Sequence, residues 1–172
     1  MESFKNKWEI KQNWQLVFPA LGIIGLVISS YLIGKSISKH FLIENEIINS
    51  SVLLFLTSLF TVFFLFITLK IFGKLESRWE VTYRWELIAI FIVFAITGST
   101  SARISDPIIH FIGLSQETTS GWLYWPLRIL LIFPIYQVLL VFVGWLFGQF
   151  KFFWTFEKKM LSRLGFARFF KD

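Results

Sequence analysis

Four apolar runs, near residues 16–34, 51–72, 85–102 and 126–147, constrain this chain more than anything else in it. Each has about the length a helix needs to cross ~30 Å of hydrocarbon. Backbone polar groups cannot be left unsatisfied in lipid, so runs of this length and spacing imply membrane helices. Composition agrees: 16% of residues are charged, against about 25% in soluble domains, and 20% are aromatic. The expected fold is an all-α integral membrane protein with four transmembrane helices.

The chain also repeats itself. Lys7-Trp8-Glu9-Ile10 through Trp14-Gln15-Leu16 lies under Arg78-Trp79-Glu80-Val81 through Trp85-Glu86-Leu87 at an offset of 71. A long apolar run follows the second tryptophan of each copy. Self-similarity at a fixed period signals repeated structural units. Two tandem helical hairpins are expected, one over 1–75 and one over 76–172. Thirteen of the seventeen Lys and Arg fall before span one, between Lys70 at the end of span two and Arg84, or after span four. The positive-inside rule then puts both termini in the cytoplasm. Each unit contributes two spans, so the units insert the same way up, as parallel repeats do. Many alternating-access carriers use inverted repeats instead, so a solute carrier is the weaker reading.

Basic residues beside spans meet anionic lipid headgroups on the cytoplasmic side, and that placement argues against a nucleic-acid partner. With no cysteine in the chain, disulfides and thiolate sites are excluded. The first apolar run is too long for a cleaved leader and lacks a small-residue cleavage pattern, so it is expected to stay in place.

Along the chain, Asn13 is a plausible cap for span one, and Gly22 and Gly25 offer it a small-residue face for helix packing. Residues 35–50 read as a loop. The hydroxyls of span two, Thr57 and Thr61 among them, are expected to bond back to their own helix. Gly98 and Ala102, in small-xxx-small spacing, close span three. Asp106-Pro107 then reads as a fresh helix start, opening a short interfacial helix near 107–114. Span four holds Pro134 and Gln137 near its middle, and a single amide at that depth usually ties two helices together. The tail over 150–170 reads as a basic amphipathic helix in the headgroup plane.

Few residues offer chemistry. His40 and His110 match across the repeat at an offset of 70, as do Glu46 and Glu117 at 71. A histidine beside a carboxylate could act as a general base, and two such pairs could hold a metal ion. The blander reading, a polar tip on an apolar body at headgroup depth, leads. Arg103, Asp106 and His110 form a second set at spacings of three and seven, where Arg103 either binds a lipid phosphate or pairs with Asp106. Arg128, three residues past Trp125, can reach headgroup depth. So can Lys151, Lys158, Lys159 and Arg163 on the tail. No cofactor is expected, and no carboxylate or histidine lies in the middle of a span to relay protons.

Span four closes on Phe147-Gly148-Gln149-Phe150-Lys151-Phe152-Phe153. This resembles the closing signature of a small bacterial inner-membrane family of unknown function, best over residues 79–164. Some of its members are labelled prolipoprotein diacylglyceryl transferase. That enzyme carries a His-Gly-Gly stretch, whereas both histidines here precede Phe, so the resemblance carries over no catalytic residue. The expected role is non-enzymatic: a scaffold, assembly factor or accessory subunit packing against lipid or a membrane-protein partner. The alternative is a lipid-modifying enzyme at the outer headgroup plane, working through His110, Arg103 and Asp106.

Overall fold

The computed structural model describes residues 1–41, 45–79, 81–116 and 119–166, and every element among them is helical. The order is α1 (Glu2–Lys7), a 3-10 turn (Asn13–Leu16), α2 (Val17–Ser38), a 3-10 turn (Lys39–Phe41), α3 (Glu46–Leu75), α4 (Arg84–Phe111), α5 (Gly121–Leu146) and α6 (Phe150–Arg163). Four stretches are long and apolar enough to cross a membrane: Asn13–Phe41, Glu46–Leu75, Arg84–Phe111 and Gly121–Leu146.

These helices outrun the apolar segments that announce them, because their caps lie in the flanking polar sequence. Asn45 accepts hydrogen bonds from the Ile47 and Ile48 amides at 3.0 and 3.2 Å, so α3 begins inside what reads as a loop. Asn13 does not cap span one. Its side chain accepts from Lys5 Nζ at 2.6 Å, while Gln12 and Gln15 form the capping box of the 3-10 turn. Pro107 does not start a new helix either. It sits within α4, and residues 107–111 are the last turn of that helix, with no separate interfacial segment. Proline in a helix interior removes one backbone bond and strains the preceding turn. Here the loss falls near the helix end, where few turns depend on it. The end itself comes at Gly113 (φ +75°), whose amide bonds His110 O while the Leu114 amide bonds Ile109 O. α6 stops at Arg163, short of residue 170, and Gly165 (φ +102°) follows. Arg168 and Lys171 lie outside the described residues.

The chain forms two compact units, Met1–Ile88 and Ala89–Asp172. In the first, α2 and α3 form a hairpin whose close approach falls at Gly34, where a Cβ would lie 3.3 Å from Leu56 Cβ. Thr57 and Thr61 bond back to the carbonyls of Leu53 and Thr57, both at 2.7 Å. Most of α3 has no protein cover. Leu54, Phe55, Val62 and Phe66 are each about two-thirds exposed, and Phe72 is the helix's one buried residue. Water would not tolerate that surface, since a helix apolar all round belongs in a core or in lipid.

The start of α4 belongs to this first unit because α1 and its turn hold it there. Trp8 O accepts from the Trp85 amide at 3.2 Å, and the Glu9 carboxylate accepts from the Arg84 amide at 2.9 Å. Trp8 is buried against Phe72, their rings edge-on with centroids 6.2 Å apart. Trp85 stacks on Phe18 at 4.9 Å and meets Trp14 at 5.9 Å. The capping geometry also recurs at an offset of 71. Gln15 Oε1 accepts from the amides of Lys11 and Gln12, and Glu86 Oε2 from those of Thr82 and Tyr83, all at 2.7–3.1 Å.

Candidate functional site

The second unit holds the most developed site, where α5 turns back on itself into α6. At the end of α5 the Gln149 amide bonds Gly144 O (2.8 Å) and the Gly148 amide bonds Trp145 O (3.0 Å). With Gly148 at φ +71° this is a Schellman reversal, which favours glycine because a side chain is strained in the left-handed region. Phe-Gly-Gln-Phe is therefore the turn itself, with Gln149 as the cap of α6.

The reversal brings the two helices together along a seam. Phe153 is fully buried against Gly144, where any Cβ would drive into its ring, 2.9 Å from Cγ and closer still to Cδ2. Two turns up α5 and one turn along α6, Gln137 meets Glu157. With its nitrogen facing the carboxylate, the amide donates to both Glu157 oxygens, 2.6 Å to Oε2, and its other terminal atom lies 3.8 Å from Met160 Sδ. Glu157 is 3% exposed, and burial pushes its carboxyl up to about 7, because the charged form loses its hydration. An amide can serve either protonation state, donating to a carboxylate or accepting from a carboxyl.

Beside the seam lies a groove of about 510 Å³, within the usual range for small-molecule sites. Val138, Val141, Phe142 and Trp145 line it from α5, on one face at helical spacing. From α6 come Phe150, Trp154 and Lys158, again one turn apart. Phe150 and Trp154 are stacked (6.0 Å, 11°), and Lys158 Nζ lies 5.8 Å over the Trp154 ring. Gln137 and Glu157 close the groove's inner side, their polar ends turned to each other. Sequence reasoning passed over Glu157. The signal was present: it stands four residues from both Phe153 and Leu161, on the apolar stripe of a basic helix.

At the other end of the same unit α4 and α5 are clamped. Arg128 donates to Asp106 Oδ1 (2.6 Å) and to the Tyr124 hydroxyl (2.9 Å), and its guanidinium lies within 6 Å of the Tyr124 and Trp125 rings. Asp106 is therefore held by Arg128, where pairing with Arg103 was one of two expectations for that arginine. Arg103 and His110 are exposed on the same helix. His40, in the first unit, has Nδ1 2.9 Å from Ser36 O. Glu46 is the first residue of α3, and Glu117 lies outside the described residues. Among the described residues, no cluster of three or more His, Asp or Glu is placed to hold a metal ion.

The tail cations Lys151, Lys159 and Arg163 are exposed and Lys158 is half-buried. Of the small residues expected at helix contacts, Gly22 packs tightly, with a Cβ there 3.1 Å from Ile88 Cγ2. At Gly25 and Gly98 a Cβ would meet nothing within 4 Å, and Ala102 is half-buried.

Fold and site together define a helical protein with four helices able to span a membrane and a reversed sixth helix packed on the fourth of them. Over residues 89–168 the chain matches the model of a family of unknown function, DUF6787. That stretch takes in the Gly148 reversal, the Gln137–Glu157 contact and the groove. No curated protein and no solved structure matches the chain.

Proposed function

We propose that this is a non-enzymatic, multi-pass protein of the bacterial inner membrane, with both termini cytoplasmic. In this reading it serves as a scaffold, assembly factor or accessory subunit for a membrane partner. The observation that carries the proposal is the surface of α3: thirty residues long, packed along one side by α2, with a large apolar area exposed along its middle at Leu54, Phe55, Val62 and Phe66. Lipid or a partner helix covers such a face. The open glycine faces at Gly25 and Gly98 suit close helix approach in the same way. The matching caps at Gln15 and Glu86 favour two copies of one hairpin unit, and the bias of thirteen cations in seventeen favours the orientation. The alternative, a lipid-modifying enzyme, needs Asp106 beside His110 as a usable base. The Arg128 clamp favours a structural part for that carboxylate.

A photo-crosslinking residue in place of Phe55 or Phe66, in the native membrane, tests the proposal. One discrete protein adduct, undiminished by His40→Gln with His110→Gln, is the expected result. Altered lipoprotein acylation in a deletion strain, reproduced by His110→Gln at normal protein level, overturns it in favour of the enzyme. Because the natural chain has no cysteine, single cysteines at 40 and 110 report topology cleanly, and labelling of either from the cytoplasm overturns the orientation.

A further inference from the structure

We infer that the groove between α5 and α6 seats one hydrocarbon chain of an anionic membrane phospholipid, whose phosphate meets Lys158 at the rim. The inference rests on the membrane reading above and adds an occupant to it. Three features select that occupant. The groove walls are aliphatic and aromatic, and the polar ends of Gln137 and Glu157 are bonded to each other. What enters along the walls is therefore hydrocarbon.

Shape favours a slender occupant. The groove is an open cleft of about 510 Å³ beside two helices held in contact by their seam, and a flexible acyl chain conforms to such a cleft more closely than a rigid helix about 10 Å across.

Charge selects the head. Among residues 150–163, Lys151, Lys158, Lys159 and Arg163 are cationic, and the one acid, Glu157, is buried with its carboxylate on Gln137. The charges that α6 offers outward are thus all basic, which attracts phosphate-bearing, net-negative headgroups. Lys158 is the cation that also lines the groove, poised over the Trp154 ring. Because Lys158 itself lines the groove, a phosphate it binds would sit beside a chain lying there. The seam at Gly144–Phe153 and Gln137–Glu157 fixes the separation of the two helices, so the groove is held open by packing beside it.

Native mass spectrometry of the full-length protein in mild detergent, offered equal phosphatidylglycerol and phosphatidylcholine, tests this. One phosphatidylglycerol is expected to be retained, at least fivefold over phosphatidylcholine. Lys158→Ala should abolish that preference. Val141→Trp, which fills the groove, should cut retention of both lipids at least fivefold. The inference is overturned if the wild-type protein retains neither lipid or retains them equally. It is overturned equally if Lys158→Ala keeps the preference or the filled groove retains as much lipid as wild type. Should Val141→Trp fail to fold, phosphatidylglycerol with brominated chains supplies the reading: it should quench wild-type tryptophan emission more than that of Trp154→Phe, and equal quenching counts against the groove. Resistance of the membrane-bound protein to alkaline extraction separates the two claims. Loss into the soluble fraction overturns the membrane reading, whereas an integrated protein that retains no lipid overturns the groove alone.

Discussion

The turns at Glu9 and Gly148 use one backbone device with two different residues. After α1, the Ile10 amide bonds Lys5 O (2.9 Å) and the Glu9 amide bonds Asn6 O (3.2 Å). After α5, the same pair of bonds closes on Gly144 and Trp145. Both turn residues lie in the left-handed region, at φ 55° and 71°. Glycine is the unstrained choice there, and a side chain costs roughly 1–2 kcal/mol. The second unit uses glycine because that turn has only to reverse the chain. The first unit uses glutamate because the residue has a second task, capping α4 through the Arg84 amide seventy-five positions later. A strained residue at a turn thus marks where a side chain is needed elsewhere.

The largest effect should come from what the Gly148 reversal exists to achieve. Gly144→Ala forces a methyl group against Phe153 and should destabilise α6 docking by about 1–3 kcal/mol, as overpacking does. Gly98→Ala, with nothing within 4 Å of the new Cβ, should instead be neutral or gain up to about 1 kcal/mol from helix propensity. Thermal melts of both variants in one detergent check this. Equal losses would show that Gly144 matters as a helix residue and not as a contact.

The turns themselves come next. Gly148→Ala should lose about 1–2 kcal/mol to left-handed strain. Glu9→Ala keeps the strain and loses the cap, for about 0.5–2 kcal/mol, while Glu9→Gly trades one for the other and should come out near neutral. Glu9→Gln, which keeps an acceptor, should hold most of the wild-type stability. If Glu9→Gly is as damaging as Glu9→Ala, strain at residue 9 is not being offset by the cap.

A subtler difference separates the carboxylates of the two units. Glu9 and Glu86 are exposed or half-buried caps, whereas Glu157 is buried and its carboxyl raised to about 7 from an ordinary 4.5. A folded-state value above the unfolded one means that the folded form binds more protons between the two. Docking of α6 should therefore be most stable below about pH 4.5, weaken as pH rises from there to about 7, and be level above that. Glu157→Gln should flatten the profile across that window. Tryptophan emission of α6 followed against pH, in wild type and variant, gives the comparison. A wild-type profile rising over that window would reverse the sign and remove burial as the controlling cause.

How much of this was legible in the sequence depends on what kind of signal each feature leaves. The four helices long and apolar enough to span a membrane are legible because each run of apolar residues sums one signal over about twenty positions. Their ends are less so, since a single residue decides them: Asn45 extends α3 backward and Pro107 fails to stop α4. The small-residue faces divide, because a glycine shows that a neighbour can approach and not that one does. Gly22 meets Ile88, while Gly25 and Gly98 meet open space. Gln137 reads from sequence as a tie between helices, and it contacts Glu157. The acid itself was hidden by the basic run around it, which draws attention to charge in sum and away from its place on the apolar stripe.

The smallest effect should come from the ion pair that looks strongest by distance. Asp106 and Arg128 meet at 2.6 Å, yet their side chains are 52% and 24% exposed. Exposed pairs are worth about 0–1 kcal/mol, because water screens the attraction and ordering two side chains consumes part of it. Asp106→Asn should therefore cost under about 1 kcal/mol. Arg128→Lys should cost more than its retained charge suggests, since a lysine replaces the planar fork that reaches Asp106, the Tyr124 hydroxyl and two aromatic rings at once. A double-mutant cycle between residues 106 and 128 isolates the pair from those ring contacts. A coupling well above 1 kcal/mol would mean that this end of α4 and α5 lies where water does not reach. The clamp would then rank with the Gly144 seam as a determinant of the second unit's packing.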